Sequence, residues 1–135
     1  ASANAYVFLE TGQISQSIID EINNHIANGY HGHGDDLQVF AIPTQAKTIN
    51  LEMWQNANTD DIQTEVENFI RCAFRENNGY QITKVMPKAV FSFSQLATEL
   101  HQQFTEIKTL KFTTDDISSG VWLPVIGTLN VVNNV

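Results

Sequence analysis

Thr48-Ile49-Asn50-Leu51-Glu52-Met53-Trp54 alternates apolar and polar side chains without a break. Successive side chains of a strand point to opposite faces. A run of this kind is therefore a strand with Ile49, Leu51 and Met53 turned into a core and Thr48, Asn50 and Glu52 turned out. Trp54 ends the run on its polar side, where an aromatic side chain is either a binding anchor for a partner or, as the favoured reading has it, covered by the C-terminal extension. One solvated face points to an antiparallel sheet covered on one side only, and so to an α+β protein.

Outward from this strand the pattern repeats in both directions. Leu37 to Ile42 is almost wholly apolar and reads as a strand stopped by Pro43, which cannot donate to a ladder. Its closeness to the strand at 48–54 predicts a hairpin. Before it, Ile14, Ile18, Ile19, Ile22 and Ile26 recur at helical spacing, with Thr11 as cap and Gly29 as stop. Tyr6 to Leu9 is a short apolar strand. Downstream, Asn58 or Thr59 caps a helix whose apolar stripe is Ile62, Val66, Phe69, Ile70, Ala73 and Phe74, ended by Gly79. Tyr80 to Met86 then reads as a strand, which Ala89 to Phe91 continue past Pro87.

The order β-α-β-β-α-β over about 5–91 matches the ferredoxin-like split fold, an antiparallel sheet backed by helices. A C-terminal extension over about 92–135 adds a helix near 94–107 and strands near 108–113 and 121–133. The extension is too small for a core of its own, so residues 1–135 read as a single α+β domain.

Composition bounds the function. The chain has 15 Asp and Glu against 7 Lys and Arg, a net charge of −8. Glu10, Asp20, Glu21, Asp35 and Asp36 all precede Lys47, the first basic residue. Binding nucleic acid needs clustered Lys and Arg, which this chain lacks. Acidic surfaces steer towards basic proteins, so Asp20 and Glu21 on the first helix, Asp35 and Asp36 in the loop after it, and Trp54 are the candidate partner contacts. No apolar run approaches the roughly 20 residues of a membrane helix. Cys72 is the lone cysteine, which rules out an intrachain disulfide and fits a cytoplasmic setting. The start at Ala1-Ser2-Ala3-Asn4, without Met, equally fits the mature end of an exported protein.

The one cluster with a chemical flavour is Tyr30-His31-Gly32-His33-Gly34-Asp35-Asp36. Neutral imidazoles and carboxylates ligate divalent transition metals. His31 and His33, with His25 or Asp35, are thus the candidate metal ligands. The string resembles the His-x-His-x-Asp-His loop of metallo-β-lactamase-fold hydrolases over these few residues alone. Asp36 stands where that motif ends in histidine, and the chain is much shorter than that fold, so the family is rejected. A polar, glycine-hinged turn explains the same residues. His25 falls within the apolar stripe of the first helix, where a hydrogen-bonded core or edge histidine is expected; His101 reads as surface.

No catalytic residues are assigned. Cys72, with Arg71 and Arg75 nearby, is a candidate thiolate without a base, and a packed thiol is the simpler reading. Asp60-Asp61 reads as helix capping and Asp115-Asp116 as a turn. No nucleophile elbow or phosphate-binding glycine loop occurs. The reading that follows is a non-catalytic acidic module without a cofactor, of the inhibitor, immunity or regulatory-subunit type, bound to a basic protein. The alternatives are a metal-binding protein or hydrolase built on His31 and His33, and a homo-oligomeric structural subunit whose edge strands pair between copies.

Overall fold

The computed structural model describes residues 2–30 and 36–134. It is a mixed α+β structure with three α-helices and three small sheets among the described residues. The chain divides into two compact units, Ala1–Pro43 and Thr44–Val135. The division falls at Pro43 and not near residue 91, where the predicted core gives way to its extension.

In the first unit, β1 (Ser2–Val7) and β2 (Asp36–Ala41) pair in parallel. Between them runs α1 (Gln16–His25), followed by a single π-helical turn over Ile26–Tyr30. Ser15, not Thr11, caps α1: its hydroxyl accepts from the Ile18 N–H at 3.4 Å. Ile19 is the buried residue of this helix. Asn23 performs a task usually left to a strand. Its amide accepts from the Val39 N–H at 2.7 Å and donates to the Val39 carbonyl at 2.9 Å. At Val39 the outer edge of β2 is thereby met by a side chain.

The second unit is organised on β3 (Thr44–Gln55), the central strand of a sheet ordered β5-β3-β7. β5 (Ile107–Phe112) pairs antiparallel and β7 (Leu123–Asn134) parallel to it. Helices α2 (Gln63–Ala73) and α3 (Phe93–Gln103) pack against β7 and β5 respectively. Ile49, Leu51 and Met53 are at most 1% exposed, as their alternation predicts. Burying each stabilises the fold by about 1.5–3 kcal/mol. All six residues of the predicted α2 stripe are buried. Aromatic rings extend the core: Phe69 meets Tyr80 and Phe104 at 5.0 and 5.6 Å, and Phe93 meets Phe91 and Phe112 at 5.4 and 5.2 Å.

The pairing departs from the predicted split fold. β2 and β3 do not form a hairpin: β2 joins β1, and β3 joins β5 and β7. Proximity in sequence suggested the hairpin, but the Ile42 N–H is taken by the Val7 carbonyl at 2.9 Å, and Pro43 offers no donor. The C-terminal extension supplies both neighbours of the central strand and is thus part of the second unit's core. Residues 80–86 lie outside the sheets. Their backbone is met instead by α2 and side chains: the Val85 N–H donates to the Ala73 carbonyl at 2.9 Å, and the Glu99 carboxylate accepts from the Thr83 N–H at 2.9 Å. The strand near there is β4 (Val90–Phe91), paired with β6 (Ile117–Ser118).

Helix α2 ends at Ala73, well before Gly79. Arg75 adopts φ 67°, while the Glu76 N–H bonds to the Arg71 carbonyl and the Arg75 N–H to that of Cys72. This is the Schellman geometry, normally completed by glycine. An arginine accepts the left-handed backbone because its buried guanidinium donates to the Val85 carbonyl at 2.9 Å and approaches the Met86 sulfur at 2.9 Å.

Two substitutions test these contacts. Asn23→Ala leaves both polar groups of Val39 without their partner and is expected to cost about 1–3 kcal/mol, read as lost amide-exchange protection at Val39. Arg75→Ala keeps the strained backbone and loses the side-chain bonds, whereas Arg75→Gly loses the bonds but relieves the backbone. Denaturant titration is expected to find the glycine variant more stable than the alanine variant by about 0.5–1 kcal/mol.

Candidate protein interface

The alternation that buries Ile49, Leu51 and Met53 places Thr48, Asn50, Glu52 and Trp54 on the opposite face of the sheet. Register adds their neighbours. Lys111 and Thr109 of β5 stand beside Glu52 and Trp54. Thr128, Asn130, Val132 and Asn134 of β7 stand beside Thr48, Asn50, Glu52 and Trp54. Glu52 and Lys111 are opposite charges directly across the ladder, a favourable pair. The Asn130 amide donates to that of Asn50 at 2.8 Å. Trp54 is half-buried and Val132 exposed, so the face is polar with two apolar points. The C-terminal extension is expected from the sequence to cover this face, but Thr48, Glu52 and Val132 are exposed there. Its strand β7 lies beside β3, in the plane of the sheet.

Sheet edges are the second feature. β5 and β7 flank β3, and β1 has β2 on one side only. The β5 edge carries Lys108 and Lys111, both exposed. The β7 edge carries Pro124 and a bulge: Lys47 pairs Ile126 and Thr48 pairs Thr128, leaving Gly127 as the extra residue. A Cβ at Gly127 would stand 3.0 Å from the Ala46 Cβ, a tight contact that glycine avoids. Lysine, proline and bulges all discourage unwanted strand pairing.

At the C-terminal end of β3, Gln55 and its neighbours line a polar cleft of about 380 Å³ with Asn56, Thr59, Asp61, Gln63 and Asn133. Gln55 accepts from the Ile62 N–H at 3.1 Å and from the Asn133 amide at 2.7 Å, and donates to the Asp60 carbonyl at 2.6 Å. These amides are spent on holding the 56–62 turn.

The other sequence candidates separate on inspection. Asp20 and Glu21 are exposed on α1, and Asp20 accepts from the Gln16 amide at 3.0 Å. The backbone of Asp36 pairs with Ser2. Trp54 belongs to the other compact unit, so the candidate contacts are not one patch of one unit. His31, His33 and Asp35 lie outside the described residues. Among the described residues no group of three or more His, Cys, Asp or Glu side chains gathers as metal ligands.

His25 is exposed, which corrects its placement in the apolar stripe. On a wheel with Ile14 at the origin, His25 and Ile18 fall near 20° and 40°, and Ile22, Ile26 and Ile19 between about 80° and 140°. Ile18 is 42% exposed and Ile19 2%, so the buried side centres on the second group. Reading all five isoleucines as one stripe drew its centre too close to His25.

Cys72 is buried, with its thiol 3.4 Å from the Tyr80 carbonyl. Arg71 is engaged by Glu76 at 3.1 Å, and Arg75 donates to the Val85 carbonyl at 2.9 Å. Asp61 accepts from the Gln63 N–H at 3.0 Å at the start of α2. Asp116 accepts from the Phe93 N–H at 2.9 Å at the start of α3. Both carboxylates serve helix starts, where negative charge is favoured. The sequence reading allowed for pairing through edge strands but did not show which strands form the edges, because the predicted hairpin gave β2 and β3 the wrong neighbours.

No helix among the described residues is long and apolar enough to cross a membrane. No family model matches the chain. The chain is 35% identical over 125 residues to the protein named "Putative baseplate protein gp29" of Haemophilus phage HP1 (strain HP1c1). The match covers 82% of this chain and 32% of that protein, so the chain spans about a third of the relative's length.

Proposed function

We propose that this chain is a structural module of a baseplate-type particle, binding other protein subunits through its sheet edges and open sheet face. The observation that carries this reading is the 35% identity to the phage protein across most of the chain. The geometry supports it. A polar sheet face with Trp54 and Val132 exposed or half-exposed suits a contact between proteins that also fold alone, since such interfaces are about as polar as ordinary surface. The structural-subunit alternative thus becomes the leading reading.

The inhibitor or immunity reading rests on negative charge, single-domain size and the absence of catalytic motifs, and falls behind. What is kept from it is a protein partner. Asp20, Glu21, Asp35, Asp36 and Trp54 stay the proposed contacts, with a neighbouring subunit in place of a basic toxin. Charge at these positions acts mainly on association rate and choice of partner.

The test is localisation on particles. Antibody raised against the 135-residue chain, applied to virions released by the strain that carries the gene, is expected to label one end of the tail in electron micrographs. Label absent from particles, with the protein recovered only free, would overturn the proposal.

A further inference from the structure

Along an extended strand, successive residues turn their N–H and C=O groups to opposite edges. The Val7 carbonyl accepts from Ile42, so Ala3, Ala5 and Val7 face β2. The second bond set agrees: Val39 gives both its polar groups to Asn23, so it faces away from β1, and its register partner Ala5 faces inward. Asn4 and Tyr6 therefore present their backbone groups to the outer edge of β1. No described strand lies on that side.

Two further observations set this edge apart from those of β5 and β7, and its six residues set it apart from the two-residue strands β4 and β6. Two parallel strands alone are short of the three or more that a stable sheet usually needs. The segment Ser2-Ala3-Asn4-Ala5-Tyr6-Val7 also has no charge, proline or glycine. β5 and β7 carry lysines, a proline and a bulge, whereas β1 carries none of these protections.

We infer that the outer edge of β1 is a self-pairing site, at which a second copy of this chain adds its own β1 antiparallel about a two-fold axis. Asn4 then faces Asn4 of the second copy, Ser2 faces Tyr6, and the two sheets become one of four strands, β2-β1-β1-β2. The uncharged strand selects this occupant. Identical strands without charge meet without like-charge repulsion, whereas two β5 edges would set lysines against each other. A charged partner finds no opposite charge on this strand. The inference rests on the structural-subunit reading and names the surface through which copies join.

The test is sedimentation velocity over a concentration series on the full chain, at low salt and at about 0.5 M salt. A reversible dimer is expected, strengthened by salt because each copy carries a net charge of −8. Asn4→Lys places like charges at the centre of the pairing, and Asn4→Pro removes an outward N–H while sparing the β1–β2 ladder. Both are expected to weaken the dimer about tenfold or more, with the circular dichroism of Asn4→Lys unchanged. Lys111→Glu on the β5 edge is expected to leave it intact. A monomer at every concentration, a dimer weakened by salt, a dimer indifferent to position 4, or one lost with Lys111→Glu would each overturn the inference. Tail labelling with a monomeric chain would defeat only this inference. A salt-strengthened dimer sensitive to position 4, without tail labelling, would defeat only the subunit reading.

Discussion

Every strand presents backbone donors and acceptors along two edges, and each group buried without a partner costs about 1–3 kcal/mol. How this chain meets that demand explains most of its architecture. β3 meets it with strands on both sides, which is why its apolar residues can be fully buried. β2 meets it on one side with β1 and, at Val39 on the other side, with the amide of Asn23. The 80–86 segment meets it with the last turn of α2, the Glu99 carboxylate and the Arg75 guanidinium. Side chains do here what strands do elsewhere, in keeping with an amide-rich and charge-poor composition.

The same accounting locates the binding surfaces. A strand whose outer edge is defended by lysine, proline or a bulge is built to stay unpaired. An edge with none of these is open to another strand. The central sheet shows its core face to α2 and α3 and its other face, a Thr and Asn ladder with the Glu52–Lys111 pair, to solvent. Polar ladders of this kind can meet a partner without making the free protein insoluble. The carboxylates that might have been taken for acid–base groups hold helix starts, and the one thiol is packed away.

Much of the secondary structure was legible because periodicity is a local property. The alternation of 48–54 and the stripe of α2 were read residue by residue as they stand. Misreadings came where partners at long range decide. Residues 80–86 have strand composition, but their hydrogen bonds go to α2 and to Glu99, which no local pattern encodes. The α2 terminus was misplaced because glycine is the usual signal for a left-handed cap and here a buried arginine fills that role. His25 was misplaced because a stripe drawn through all the isoleucines included Ile18, which is exposed.

By itself the sequence determined the mixed α+β class, the inward residues of β3 and α2, and the acidic first third. These follow from side-chain chemistry and spacing along the chain. Tertiary structure alone decided which strands are neighbours, and therefore which edges are closed and which are open. Ile42 looked like the last residue of a hairpin strand until its N–H was found on Val7, and β7, at the far end of the chain, proved to be the parallel partner of β3. Strand pairing is a competition among all the backbone donors and acceptors of the fold, and proximity in sequence is only one of its terms.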